Sequence, residues 1–519
     1  LNRQAMASHT FVTGSTGTGK SNAVYHLLDE ITKDGRTSFL VVEPAKGEYK
    51  NVFGSRADVK VFGTNPRETP LLRINPFAFP QNIHILEHID RLVEIFNACW
   101  PMYAAMPAVL KDAIERSYQK VGWDLRNSES EKGVFPTFFD LLDILPGVIE
   151  ESHYSKDTQS DYVGALCTRV KSLTNGIYGS VFCAEDALSD AELFDCNVVV
   201  DLSRVGSMET KSLLMGILVM KLQEYRMCGS EMNSRLRHVT VLEEAHNLLR
   251  KTSAEQSQEG ANLQGKSVEM LANAIAEMRT YGEGFIIADQ APGLLDMSVI
   301  RNTNTKIILR LPDEEDRKLV GKSAALKEAQ IDELSKLPLG VAAVYQNEWP
   351  EAVLCKIEAY PMPENAVYHK PSKMPHEINA EFVFGQLAAG KELEPLGVSE
   401  MEQLKLWLKR HEMMLKPEDG RYLEQVFAGG ELDVAKTRKA VFDFFGGIST
   451  VVDYCAAAEK SFTPRKEFLE QLQGQYGLKA AAADWVLNSV ISMGVSLNPD
   501  AKAVDNLRTN FEQQGGRVL

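Results

Sequence analysis

Short apolar runs rich in β-branched residues punctuate the chain at Thr10–Thr13, Ser38–Val42, Val59–Phe62, Asn197–Asp201, His238–Leu242, Phe285–Ala288, Lys306–Leu309 and Val341–Tyr345. Between most of them lie stretches whose apolar residues return every three to four positions, the spacing of a helix with one buried face. Continuous apolar strands alternating with helices predict an α/β architecture: a parallel-rich central sheet buried on both faces. The third and fourth runs are separated by more than 130 residues with little strand character. There Ile83–Phe96, Ala108–Val121 and Thr137–Ile149 have helical spacing, with Pro101, Pro107 and Pro136 as boundaries, so a helical insertion in the sheet domain is expected. Beyond Pro361, Pro363, Pro371 and Pro375 the pattern turns helical throughout, as in Val398–Met414, Lys436–Phe445, Lys466–Tyr476 and Ala480–Ser492. The expected division is a sheet domain in two parts, 1–82 and 196–360, an insertion at 83–195, and an all-helical C-terminal region at 376–519.

At 519 residues, 44% apolar and 24% charged, the chain has the composition of an ordinary globular protein of two to four domains. Its longest apolar runs, such as Phe39–Val42, are far too short to cross a bilayer, and no signal peptide is visible. Seven cysteines, odd in number and without a C-x-x-C pair, point to reduced thiols in the cytoplasm and away from a zinc site. The chain opens at Leu1, about ten residues before the first strand, which suggests a missing N-terminal portion. A net charge of −15 opposes general attraction to nucleic acid, so any DNA contact must be local, as in a ring channel lined by a few basic residues.

The chemistry begins at Gly14-Ser15-Thr16-Gly17-Thr18-Gly19-Lys20-Ser21, a complete G-x-x-x-x-G-K-S loop between an apolar run and a helical stretch. Glycines let successive N–H groups turn toward a nucleotide's phosphates, and the following helix adds its positive end. Lys20 would neutralise β- and γ-phosphate charge, and the Ser21 hydroxyl would hold Mg²⁺. The run His238–Leu242 leads into Glu243 and Glu244, placed to hold Mg²⁺ and to activate water; the alternative is an acidic helix cap. Glu43, Lys46 and Glu48, after the second strand, are either residues supporting that crevice or a simple polar turn. Gln290, ending another strand, is placed to sense the γ-phosphate. Arg279, at an expected helix end, would stabilise transition-state charge from a neighbouring subunit, with Arg310 in reserve; either could instead be a surface cation. His246 is a relay residue or a structural histidine, and not a metal ligand. The polar stretch from Arg250 to Lys266 is a DNA-channel loop or a solvated loop.

The loop at 14–21, Glu43 to Tyr49, Val198 to Ser203, Glu243 to His246, Arg279 to Gly282 and Asp289 to Pro292 together resemble the HerA branch of the HerA/FtsK family of ring-shaped DNA translocases, over about residues 9–350. The resemblance implies a RecA-like P-loop ATPase with a helical insertion, assembled as a homo-hexamer that uses ATP and Mg²⁺ to move double-stranded DNA through its channel. It implies Lys20 and Ser21 for phosphate and Mg²⁺, Glu243 and Glu244 for Mg²⁺ and water, Gln290 as γ-phosphate sensor and Arg279 as a finger supplied in trans. Such proteins work with an effector, a nuclease in DNA processing or a nuclease or sirtuin-type NAD hydrolase in anti-phage defence. The sequence here leans to the defence type, because Glu-Pro-Ala-Lys-Gly-Glu-Tyr replaces the family's common Asp-Pro-His-Gly-Glu-Tyr and a helical tail is added. The alternative to a motor is an ATP-binding hexameric scaffold that activates its effector without translocating.

Overall fold

The computed structural model describes residues 1–370 except 34, 104, 131–132, 185–186, 230–231, 253–262 and 363–366, and in the C-terminal part 383, 387, 404, 408 and 416–518 except 428–429, 459–462, 477, 479 and 498–500. The chain forms two compact units, Leu1–Pro371 and Ser372–Leu519.

In the first unit the strands are β1 (Thr10–Thr13), β2 (Ser38–Glu43), β3 (Val59–Gly63), β4 (Trp123–Asp124), β5 (Glu129–Ser130), β6 (Asn197–Asp201), β7 (His238–Glu243), β8 (Glu283–Asp289), β9 (Thr305–Ile308), β10 (Val341–Gln346) and β11 (Val353–Lys356). Nine of them make one sheet in the order β11-β10-β9-β1-β8-β7-β2-β6-β3. The pairs from β9 to β3 are parallel, whereas β10 runs antiparallel to both β9 and β11. The eight expected strands all occur, with ends moved by at most two residues. The sheet is parallel-rich, as expected, with β10 and β11 antiparallel at one edge. The chain between β9 and β10 holds two short helices, Glu314–Ser323 and Glu328–Glu333, and a short connection then returns β10 to β11; apolar pattern cannot distinguish such an antiparallel strand from a buried parallel one.

Alternation along each strand divides the core. Leu40, Val42, Val198 and Val200 face one side, where they join the large core of the insertion. Phe39, Val41, Val199, Val239 and Val241 face the other, against α1 (Lys20–Thr32) and α2 (Tyr49–Phe53).

Between β3 and β6 the insertion forms α3 (Ile85–Cys99), α4 (Met106–Lys120) and α5 (Phe138–Glu151) followed by shorter helices. Pro107 sits in the first turn of α4, where its missing N–H costs nothing, and Thr137 and Asp140 form a capping box on α5. The insertion is not wholly helical, since β4 and β5 pair as a small separate hairpin. α6 (Met208–Gly229) is buried on nearly all sides, and α7 (Leu263–Glu277) packs beside α3.

The second unit is helical: Pro417–Phe427, Val434–Phe444, Gly447–Ala458, Pro464–Tyr476, Ala480–Leu497 and Ala501–Gln513 surround Leu423, Val441, Phe444, Tyr454, Leu487 and Phe511. The expected helix Val398–Met414 lies outside the described residues, apart from the buried Leu404 and Leu408. Among the described residues no single helix is long and apolar enough to cross a membrane; the nearest is the pair Val434–Phe444 and Gly447–Ala458, bent by 65°.

Candidate active site

The site is built where β1, β8, β7 and β2 end side by side. Gly14 leaves β1 so close to the next strand that a Cβ there would stand 2.7 Å from Thr18 Oγ1 and 2.8 Å from Leu309 Cβ. Gly19, at the start of α1, has φ +107°, which only glycine adopts without strain. The loop is braced from both ends: Ser15 N–H and Oγ donate to the Arg310 carbonyl at 2.9 and 3.2 Å, and Thr18 Oγ1 donates to Ser15 O at 2.7 Å. Lys20 Nζ folds back over the loop, donating to the Gly14 carbonyl at 2.6 Å. Burial lowers the Lys20 pKa, against the pull of Glu244 and Glu243 that favours its charged form.

Glu244 follows β7 with φ +47°, an uncommon conformation for a residue with a side chain. Thr16 Oγ1 donates to Gln290 Oε1 at 2.6 Å, and Gln290 Nε2 donates to Glu244 Oε1 at 2.8 Å. The loop and two strand ends are thus joined through one amide. The other Glu244 oxygen, Oε2, is buried with no hydrogen-bond partner among the described residues, and His246 Nδ1 stands 3.6 Å from it. Asp289 Oδ2 accepts from His246 N–H at 2.8 Å and lies 2.9 Å from its Nδ1, while Asp289 Oδ1 accepts from Ala291 N–H. That carboxylate raises the His246 pKa.

Glu243 is almost fully buried and accepts the Tyr49 hydroxyl. Burial pushes its pKa up. Tyr49 is delivered by the turn after β2: Glu43 accepts the N–H groups of Glu48 at 2.8 Å and Tyr49 at 3.1 Å, one on each carboxylate oxygen. Burial raises the Glu43 pKa to about 8. Beside it Lys50 pairs with Asp201, which ends β6, at 2.6 Å.

The fold brings together Gly14 to Ser21, Glu243, Glu244 and Gln290. Arg310 meets the loop through its carbonyl, with its side chain exposed, and stands two residues beyond the end of β9. Arg279 is not brought to this site. It lies in the 3₁₀ turn Met278–Tyr281 that continues the end of α7, and precedes β8, just beyond whose far end stands Gln290. Seven strand residues span about 20 Å. Arg250 and Lys251 are exposed and anchored by pairing of Arg250 with Leu295; residues 253–262 of the expected channel loop lie outside the described residues. Sequence reasoning missed Tyr49 and Asp289 as site residues. Asp289 carries a signal, a carboxylate ending an apolar strand, whereas Tyr49 reaches Glu243 only through tertiary pairing.

The donor set suits a nucleotide phosphate and a hard cation: an N–H-lined loop too tight for a Cβ at Gly14, a buried ammonium, a hydroxyl at Ser21, and carboxylates with one unsatisfied buried oxygen. Glu244, His246 and Asp289 bring ligand atoms within 4.8 Å of one another, but both Asp289 oxygens are already engaged.

Residues 2–143 match the family model described as "Helicase HerA, central domain". Among curated proteins, the chain is 23% identical over 390 residues to "Probable helicase MJECL08" of Methanocaldococcus jannaschii, covering 69% of this chain and 68% of the relative. It is 25% identical over 366 residues to "DNA double-strand break repair helicase HerA" of Sulfolobus acidocaldarius, covering 68% and 66%. The chain therefore spans about two thirds of the length of the curated relatives it matches. In fold it is similar to VirB4 of Thermoanaerobacter pseudethanolicus, at a TM-score of 0.52 and 19% identity over 68% of this chain and 90% of that one. The plasmid coupling protein TrwB, solved with a non-hydrolysable ATP analogue, gives 0.50 and 15% over 72% and 90%. Residues 2–143 thus resemble the central domain of HerA helicases, and the loop with its paired strand-end carboxylates makes the chain similar to HerA-type P-loop ATPases.

Proposed function

We propose that the chain is an ATP-driven motor on double-stranded DNA that works as a ring of six copies in the cytoplasm. In this reading residues 1–82 and 196–360 form the motor core, 83–195 its helical insertion, and the helices beyond 376 a docking element for an effector, a nuclease or an NAD hydrolase of the sirtuin type. The names of the curated relatives and the charge distribution support it: with −15 overall, DNA is held locally, at a channel to which Arg250 and Lys251 contribute.

The observation that carries the chemistry is the bonded chain Thr16–Gln290–Glu244. The N–H groups of the loop and Lys20 hold the phosphates of ATP. Ser21 and Glu243 hold Mg²⁺, which when bound offsets charge on the β- and γ-phosphates. Glu244 takes a proton from the attacking water through its unpaired Oε2, and Gln290, in bonding distance of both loop and carboxylate, keeps the water and the phosphate in line. Arg279 completes the site of the neighbouring copy; Arg310 is the second candidate for that role.

The test is ATP hydrolysis with and without duplex DNA across a salt series. Turnover should rise with DNA, and the gain should fall steeply with salt because contacts to phosphates dominate. Hydrolysis indifferent to DNA at every salt concentration overturns the motor and favours the ATP-binding scaffold.

A further inference from the structure

Lys46 is left without a part in this chemistry, and its setting is unusual. It stands at the tip of the turn after β2 with φ +37°, and Gly47 N–H closes the turn onto the Ala45 carbonyl. A left-handed residue with a side chain costs about 1–2 kcal/mol, and glycine or asparagine would fit more cheaply. The turn is nevertheless fixed at its base, by the two N–H groups on Glu43 and by the Tyr49 hydroxyl on Glu243. β2 pairs with β7 with Val42 opposite Leu242, so Glu43 and Glu243 leave the sheet as neighbours. The turn therefore stands against the carboxylate side of the site.

Its one ion pair among the described residues is Glu48, at 3.7 Å, with both side chains about half exposed. Such a pair contributes little and is readily exchanged for a stronger anion. The Lys46 charge acts on both Lys20 and Glu243, less strongly than burial does at either.

We propose that Lys46 is a second phosphate-binding cation supplied in cis, which contacts the terminal phosphate of a bound nucleoside triphosphate and makes the site prefer triphosphate to diphosphate. This rests on the ATP site proposed above. The terminal phosphate follows from strand order: β2 lies beyond β7 as seen from β1, so a group on its turn approaches from the side of Glu243 and Glu244, where the phosphoryl group is attacked. A flexible ammonium suits this, since it serves as a point charge with no fixed fork to align.

The experiment is calorimetric titration of the full chain, with Mg²⁺, against a non-hydrolysable ATP analogue and against ADP. Lys46→Gln should lose about tenfold in affinity for the analogue and stay within about twofold for ADP, as removal of one hydrogen bond to a charged group implies. Lys46→Arg should restore most of the loss. Lys46→Gly, which relaxes the turn, should melt no lower than wild type and still lose the triphosphate preference. Equal losses for both nucleotides, no loss for either, or lost DNA binding with nucleotide affinities unchanged would each overturn the assignment. A wild-type chain that binds neither nucleotide overturns the ATP site itself; wild-type binding with an unaffected Lys46→Gln overturns only the role of Lys46.

Discussion

The amide of Gln290 donates to Glu244 at 2.8 Å, so the residue just after β8 holds the residue just after β7 by its carboxylate. Replacing Gln290 by Ala removes that hold and the bond from Thr16 together. Turnover should fall about 10²-fold, the scale of losing one positioned donor, while ATP affinity stays within a few-fold. Single-turnover hydrolysis and an ATP titration measure the two quantities, and a loss confined to affinity would deny Gln290 its place in the chemistry.

Lys20→Ala and Glu244→Gln should separate in the same assays. Lys20 is buried over the loop and answers phosphate charge, so its loss weakens binding. Glu244→Gln keeps the shape and the bond to Gln290 but cannot accept a proton, and should bind ATP normally and hydrolyse it at least 10²-fold more slowly. Equal loss of affinity in both variants would remove Glu244 as the base.

Tyr49→Phe deletes the hydroxyl that Glu243 accepts in a buried setting. An unsatisfied buried carboxylate costs about 1–3 kcal/mol, to be seen as a lowered denaturant midpoint at unchanged slope. An unchanged midpoint would show that water reaches Glu243.

Arg279 lies before β8, at the opposite end of that strand from Gln290, and in the proposed reading it serves chemistry in another copy. Arg279→Ala should abolish turnover by 10³-fold or so with ATP binding retained. Mixed with Glu244→Gln subunits, it should recover part of the activity wherever an intact site meets an intact Arg279. Mixed assemblies that stay inactive, while mixtures made with Arg310→Ala recover, would transfer the role to Arg310.

His9 predicts a pH dependence. Its Nδ1 accepts Phe285 N–H at 3.0 Å, and burial lowers its pKa from 6.5 to about 4. The unfolded chain takes up the proton first, so between pH 6.5 and 4 the folded state loses stability as pH falls, by up to about 3 kcal/mol. His9→Asn offers an acceptor that does not titrate and tolerates the residue's left-handed backbone, φ +65°. The difference in unfolding free energy between variant and wild type should change over that window and be flat above pH 7; a difference independent of pH refutes the buried neutral histidine.

Much of this was legible in the chain. The eight strands are apolar and β-branched over four or more residues, so local pattern sufficed, and the loop at 14–21 carries its own geometry in its glycines. β11 was missed because its four residues are all exposed and it lies at the sheet edge, where no apolar run is needed. β4 and β5 are two residues each, too short for any periodicity. In the site, Glu243, Glu244 and Gln290 announced themselves as polar residues ending apolar strands. Tyr49 did not, because what makes it matter is the neighbourhood of β2 and β7, a relation between segments almost two hundred positions apart.

The left-handed backbone of Glu244 has an evolutionary corollary. Glycine at 244 would relieve the crowding of its β-carbon, a gain of about 1 kcal/mol, and would at the same stroke delete the carboxylate. Gene copies released from selection on ATP turnover therefore have a downhill route to a sturdier, inert protein. A screen that rewards thermal resistance alone would harvest such chains, so any laboratory campaign to harden this ATPase must score hydrolysis alongside melting.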